Sequence, residues 1–189
     1  MQGLHIERRR TRGFSLVTVL LLIAVMASLG AGAMSAGLLQ ERMAGHARDR
    51  QLALQAAEAA LRDAEADVER HLSRDSAFTP DCTDGLCLPP SMASTQASSR
   101  PLWQTIDWSA AAGRSRALGQ ATGAAALTGL AAPPRYIIER LPPLAPQAGT
   151  SASLAGSADE APQVFRITAR GVGLRNSTVV ILQSTYIKR

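Results

Sequence analysis

The sequence predicts an α+β fold in which one long N-terminal helix packs on a small three-stranded antiparallel sheet. Three observations support this prediction. Residues 14–39 contain no charged side chain, residues 40–73 contain no proline, and three short segments after residue 134 have the composition of strands. The helix is therefore expected to have an apolar half that spans a membrane and an amphipathic half that covers the sheet. Residues 74–189 form the predicted globular head.

A basic leader, residues 1–13, precedes the uncharged run and ends in Gly13. Four of its residues are arginines. As a helix, the uncharged residues 14–39 would span about 39 Å, enough to cross a hydrocarbon core of about 30 Å with tilt. The arginines should stay on the cytoplasmic side, which places everything after Leu39 outside the cytoplasm. Cleavage after Gly13 would remove only the leader and leave a mature protein that begins with its own membrane helix.

Two other interpretations of this N-terminal segment compete with cleavage after Gly13. Ala31-Gly32-Ala33 has the small-residue pattern of a secretory signal site, which would make Met34 the first mature residue. Alternatively, the segment is a signal anchor that is never cleaved. The residues that follow the apolar run distinguish these interpretations.

The segment of residues 40–73 continues the helix without a stop signal and is amphipathic. Apolar residues recur at steps of three and four and lie on one stripe: Leu54, Ala57, Leu61, Ala64, Val68 and Leu72. The opposite face carries Arg50, Glu58, Arg62, Glu65 and Glu69, and Glu58 and Arg62 have the favourable order for an ion pair. From residue 14 to residue 73 the helix would be about 90 Å long. A secretory signal would not continue into such a helix.

The predicted head contains two cysteines, two tryptophans and three strands. Cys82 and Cys87 flank Asp84-Gly85, a dipeptide that favours a tight turn. We expect a disulfide between them, because the predicted compartment is outside the cytoplasm. A metal site would need more ligands than the sequence offers, so no metal or cofactor is predicted. Trp103 and Trp108 are expected to anchor the core. Strands are predicted at residues 135–141, 163–170 and 178–187.

The amphipathic half also carries a family resemblance. Residues 40–44 (QERMA), 47–50 (ARDR) and 55–61 (QAAEAAL) resemble the PilX-type minor pilins of type IV pili. The likeness extends from Gly13 to about Glu65. It returns more weakly in residues 103–108, in residues 135–139 and in the last two strands. The resemblance implies a pilin-like fold.

The resemblance also implies processing, partners and a location. A prepilin peptidase would cleave between Gly13 and Phe14, and the new N-terminus at Phe14 would be methylated. The chain would help to start pilus assembly, together with other minor pilins and the major pilin, in support of motility and adhesion. A large tip adhesin is a further candidate partner. The protein would cross the inner membrane once, with a periplasmic head, and would then move to the pilus, at its tip.

Thr18 departs from the pattern of the major pilins. Major pilins carry a glutamate at the fifth mature position, and Thr18 occupies that position here. A lone carboxylate in an apolar helix is costly unless it is paired. In major pilins the proposed partner is the N-terminal amine of the subunit assembled above. A subunit with no neighbour above it needs no such carboxylate, so Thr18 suits a tip or initiator position. The alternative is that the position has no functional meaning.

Composition gives no support to an enzyme or a nucleic-acid-binding protein. The formal charge is +5, but the leader contributes +3, which leaves about +2 for the mature chain. No metalloprotease, hydrolase or nucleotide-binding motif is present in the sequence. Basic residues near the C-terminus, Arg166, Arg170, Arg175, Lys188 and Arg189, could form a patch, but nucleic acid is an unlikely partner. Two alternatives remain: a membrane-tethered or secreted periplasmic binding domain, and a pseudopilin of a type II secretion system.

Overall fold

The computed structural model describes residues 14–89, 100–142 and 162–188, except for the side chains of Phe14 and of residues 30–38. The predicted leader lies outside the described residues. The chain divides into two compact units, one that ends at His46 and one that starts at Ala47. Each unit is described by itself.

The long helix, α1, is Phe14–Arg70, 57 residues without a proline. This confirms the predicted continuous helix, which ends three residues earlier than expected. Alanine is the best helix former and is frequent between residues 53 and 66. Glu58 and Arg62 form the predicted ion pair at 3.4 Å on the exposed side.

The buried face of α1 in the second unit consists mainly of alanines. Its apolar members are Ala53, Ala56, Ala57, Ala60, Ala64 and Val68, followed by Leu72 just beyond the helix. The predicted stripe is therefore confirmed at four positions, whereas Leu54 and Leu61 are only half-buried at its margin. Small side chains allow a strand to approach the helix backbone closely. A Cβ atom added to Gly171 would lie 2.1 Å from the carbonyl oxygen of Ala53.

Among the described residues the sheet has five strands rather than three. They are β1 (Leu86–Cys87), β2 (Arg116–Ala117), β3 (Arg135–Arg140), β4 (Gln163–Val172) and β5 (Val179–Lys188). The predicted antiparallel order of the three long strands is confirmed, with β4 between β3 and β5. The prediction of a purely antiparallel three-stranded sheet is wrong, because β1 pairs parallel with β3 and β2 pairs antiparallel with it. Two-residue strands are too short to show any periodicity in a sequence.

The two faces of the sheet cover two separate apolar clusters. The larger cluster lies between the sheet and α1 and includes Tyr136, Ile138, Phe165 and Ile167. The smaller one lies on the opposite face, where Ile137 meets Cys82, Cys87 and Ile106.

The predicted tryptophan anchors are only partly confirmed. Trp108 packs against the smaller cluster and is half-buried, and Trp103 belongs to neither cluster. The indole N–H of Trp108 donates to the carbonyl oxygen of Trp103 at 3.2 Å. The buried aromatic rings of the larger cluster are those of Tyr136 and of the stacked pair Phe78 and Phe165, whose centroids are 5.9 Å apart.

Candidate functional site

The N-terminal end of α1 holds the residues that the sequence singles out for processing and assembly. Gly13 lies outside the described residues, and α1 begins at Phe14. The hydroxyl of Thr18 donates to the carbonyl oxygen of Ser15 at 2.9 Å. This bond lies within the helix, so the polar group of Thr18 is satisfied without a second subunit. A carboxylate at the same position would have no proton to donate to that carbonyl at neutral pH.

Large apolar side chains of the first unit are exposed. Between residues 16 and 29 the exposed fraction of these side chains ranges from 49% at Val25 to 72% at Met26. Contiguous exposed apolar surface of this kind marks an interaction site. Among the described residues no helix is long and apolar enough to cross a membrane. The predicted membrane half, residues 14–39, therefore stays a prediction.

The disulfide loop lies at the edge of the sheet beside β3, with Cys82 and Cys87 in the smaller cluster and Leu86 in the larger one. Cys82 and Cys87 are bonded to each other, which confirms the predicted pairing. A 3-10 turn, Thr83–Gly85, closes the loop. Asp84 and Gly85 both have positive φ, at 52° and 73°, a conformation that glycine adopts without steric cost and aspartate tolerates. A Cβ on Gly85 would also approach the backbone nitrogen of Arg116 to 2.9 Å.

Arg116 joins the disulfide loop to the helix and to the sheet. It donates to Asp67 at 2.6 Å and to Asp84 at 2.7 Å, and Tyr136 donates to the same Asp67 oxygen at 3.0 Å. Burial alone would lower the pKa of Arg116, but hydrogen bonds to the two carboxylates raise it overall. Burial, followed by the charge of Asp67, raises the pKa of Tyr136. Arg116 and Tyr136 therefore keep their protons and hold three elements together.

The other oxygen of Asp67 is less well satisfied. Asp67 Oδ1 lies 3.3 Å from His71 Nδ1, an ion-pair distance, yet the geometry does not make a hydrogen bond. Asp63, one turn earlier, accepts hydrogen bonds from the Thr122 hydroxyl and from the Gly119 N–H. Asp67 thus fixes β2 and β3 against α1, and Asp63 fixes the segment that follows β2.

Asp49 performs a similar role at the turn between β4 and β5. Its carboxylate accepts hydrogen bonds from the Leu174 N–H at 2.5 Å and from the Thr178 hydroxyl at 2.7 Å. The Thr178 bond is the largest cause of a lowered pKa at Asp49. A Cβ on Gly173 would collide with the Asp49 carboxylate, so the glycine allows the turn to approach α1 closely at this position.

Lys188 caps the C-terminal end of α1. Its ammonium group donates to the carbonyl oxygens of Val68, Glu69 and Leu72 at 2.7–2.8 Å. These are groups that a helix end leaves without intrahelical partners, and a cation there complements the helix dipole. The hydroxyl of Tyr186 donates to Glu69 at 2.8 Å on the same side. These hydrogen bonds hold the end of β5 against the C-terminal end of α1.

The basic residues near the C-terminus do not all share one surface among the described residues, although Arg166 and Arg170 lie on the same face of β4. Lys188 faces α1, whereas Arg166 lies on the opposite face of the sheet, 3.8 Å from the buried Glu139. Arg189 lies outside the described residues. Burial raises the pKa of Glu139, and Arg166 only partly offsets this effect.

Sequence reasoning missed the buried aspartates Asp49, Asp63 and Asp67. Each is less than 7% exposed. The helical periodicity could have revealed them, because each aspartate lies three or four residues from an alanine of the buried stripe. Glu65 was assigned to the exposed face, but its carboxylate accepts a hydrogen bond from Ser184 on β5 at 3.2 Å. Among the described residues no group of three or more potential metal ligands comes together.

A long N-terminal helix, a mixed sheet on its alanine-rich face, and a disulfide loop at the edge of that sheet define an α+β protein. Two family models match the chain: "PilX N-terminal" over residues 12–62, and "Type IV pilus assembly protein PilX C-term" over residues 83–188. The second match alone spans more than half of the sequence. The chain belongs to the PilX family of type IV pilus assembly proteins. No curated protein and no solved structure matches it.

Proposed function

We propose that this chain is a minor pilin that helps to initiate type IV pilus assembly in a tip or priming complex with other minor pilins. The observation that carries the proposal is Thr18, whose hydroxyl is satisfied by Ser15 of its own helix. A subunit within the filament would benefit from a carboxylate that binds the amine of the subunit above. A subunit with no neighbour above has no such requirement. Thr18 is suited to this position because its polar group does not depend on another chain.

The proposal includes processing at the N-terminus. A prepilin peptidase cleaves between Gly13 and Phe14, and Phe14 is then methylated. Before assembly the protein is held in the inner membrane by residues 14–39, with its head in the periplasm. The exposed apolar side chains of residues 16–29 supply a surface for lipid and afterwards for neighbouring helices. The disulfide between Cys82 and Cys87 suits the oxidising environment of that compartment.

Mass spectrometry of the mature protein tests the processing step. The N-terminal peptide should begin at Phe14 and carry one added methyl group. A terminus at Met34 would indicate a secretory signal, and an intact Met1 would indicate a permanent anchor. Either result would contradict entry into the filament by the prepilin route.

Deletion of the gene tests the initiating role. Surface pili should become rare, and expression of the wild-type chain should restore them. Thr18→Ala should restore them equally well, because no inter-subunit bond depends on this hydroxyl. Normal piliation after deletion would overturn the proposal and favour a membrane-tethered periplasmic binding domain. A secretion defect with normal piliation would instead point to a pseudopilin of a type II system.

The partners follow from the same proposal. Other minor pilins and the major pilin contact the chain as the first subunits assemble. A large tip adhesin is a further candidate, because a priming complex at the tip is the surface on which such a protein could be displayed. Twitching motility and adhesion would then depend on this chain indirectly, through the number of pili.

A further inference from the structure

A cleft of about 480 Å³ opens beside the smaller apolar cluster of the head. Its walls combine apolar and cationic groups. Trp108 and Val172 line it together with Ala132 and Pro133, and the guanidinium groups come from two arginines of neighbouring strands, Arg135 and Arg170. Nothing in the polar network around Arg116 uses this cleft.

Arg135 and Arg170 are directly opposite each other across β3 and β4. Like charges at such a pair of positions destabilise a sheet. The pair is also withdrawn from water, since Arg135 is only 8% exposed and Arg170 is partly buried. Burial lowers the pKa of both arginines, and the charge of Arg170 lowers the pKa of Arg135 further. Two desolvated cations side by side require a counter-charge.

Among the described residues no carboxylate forms an ion pair with Arg135 or Arg170. Arg135 donates from Nε and Nη2 to Ser115, a neutral partner, which leaves Nη1 available. Within the described part of the chain the side chain of Arg170 has no hydrogen bond and no ion pair. Asp107 also lines the cleft and keeps its negative charge, but its carboxylate accepts from the Ser109 N–H at 2.8 Å and is not within ion-pair distance of either arginine. That hydrogen bond is the largest cause of the lowered pKa of Asp107.

Two other partly buried arginines of the head pair with carboxylates. Arg116 has two carboxylates, and Arg166, on the same strand face as Arg170, has Glu139. Arg140 instead donates to the carbonyl oxygen of Arg74 and lies over the Phe78 ring. The uncompensated pair differs from these in facing an open cleft.

We propose that this cleft binds a carboxylate presented by an acidic segment of a protein partner. Two adjacent guanidinium groups offer the forked donors that recognise a planar carboxylate, and Trp108 and Val172 can cover the apolar stem of a glutamate. Asp107 at the rim disfavours a doubly charged phosphate more than a singly charged carboxylate. The identity of the partner as another pilus subunit rests on the proposed function, whereas the chemistry of the cleft does not.

Peptide binding to the full-length chain, held in a neutral detergent, tests the cleft. The probe is a blocked pentapeptide with two glutamates, and its control is the same peptide with glutamines. Tryptophan fluorescence should report saturable binding of the first peptide and none of the second. Arg170→Gln should weaken binding about tenfold or more, because a charge-assisted bidentate contact is lost.

Two controls separate recognition from net charge and from folding. Arg62→Gln removes one positive charge from the exposed side of α1 and should leave the affinity within about twofold. Arg170→Gln should unfold at the same temperature as wild type or higher, because it relieves a like-charge pair. A lower unfolding temperature would assign Arg170 a structural role and overturn the proposal.

Other outcomes also contradict the proposal. They are the absence of saturable binding, an equal loss of affinity in Arg62→Gln, and tighter binding of inorganic phosphate than of the glutamate peptide. In cells, Arg170→Gln should reduce the number of pili relative to Arg62→Gln. If deletion of the gene abolishes pili but Arg170→Gln leaves them normal, the assembly role stands. The proposal that the cleft binds another pilus subunit is then contradicted. Normal piliation after deletion would instead remove the assembly role and leave the peptide experiment to decide the cleft.

Discussion

Replacing Gly171 with alanine should loosen the contact between the sheet and the helix. The added methyl carbon would lie 2.1 Å from the carbonyl oxygen of Ala53 and 2.4 Å from the backbone nitrogen of Ala57. Ordinary contact begins at 3.4 Å, so these groups must separate by about 1 Å. Both obstructing atoms belong to the backbone of a helix and cannot turn aside as a flexible side chain could.

The expected cost follows from this displacement. A gap of about 0.5–1 Å forfeits a quarter to a half of the dispersion attraction across an interface. Overpacking of this kind typically costs about 1–3 kcal/mol, and we expect a value near the upper end, about 3 kcal/mol, because the obstruction is rigid. For a domain of this size, the melting temperature should fall by roughly 6–12 °C.

Urea unfolding of the detergent-solubilised chain, followed by tryptophan fluorescence, measures this cost. Gly45→Ala is the matched control, because an added Cβ there meets nothing within 4 Å. It should leave the head as stable as wild type, or increase stability by up to about 1 kcal/mol through better helix propensity. If Gly171→Ala lies within about 0.5 kcal/mol of wild type, the close approach of β4 to α1 is wrong.

Three further substitutions test the head. The Thr178 hydroxyl lowers the pKa of Asp49 below 3.8, so Asp49→Asn should destabilise at neutral pH. In urea titrations this deficit should fade as the pH falls below that value and Asp49 becomes protonated. Burial raises the pKa of Glu139 above 4.5, so Glu139→Gln should increase the free energy of unfolding at neutral pH by about 1 kcal/mol. Calorimetry should find that this gain disappears as the pH falls toward 4.5, because Glu139 of the wild type then becomes neutral as well. Replacing both Cys82 and Cys87 with alanine should cost about 2 kcal/mol in urea unfolding, by loss of loop closure.

The elements with a strong local pattern were predictable. The continuous helix follows from a long stretch without proline, and the three long strands follow from alternation and turn residues. The disulfide followed from the short spacing of Cys82 and Cys87 together with the predicted compartment. Each of these signals lies within a few neighbouring residues, so one sequence is enough to display it.

Features that depend on distant pairing could not be predicted. The strand β1 forms because the disulfide loop lies beside β3. Its two residues are too few to show the alternation of buried and exposed side chains that identifies a strand in a sequence. Asp67 was not assigned to the buried stripe, and its partners Arg116 and Tyr136 reach it from elements far away in the sequence. The juxtaposition of Arg135 and Arg170 likewise depends on the register of β3 with β4. The tryptophans were assigned to the core by their size, whereas the stacked phenylalanines fill it.

The position of the protein along the filament tests the initiating role most directly. Antibody against the head, detected by gold labelling in electron microscopy, should mark filament ends, with few or no particles along the shaft. The parent strain without the gene provides the background. Thr18, with its hydroxyl bonded to Ser15 of its own chain, is the feature that predicts this pattern. Dense labelling along the shaft would contradict the account. A subunit within the shaft has a neighbour above it and would need a carboxylate, not Thr18, to bind the N-terminal amine of that neighbour.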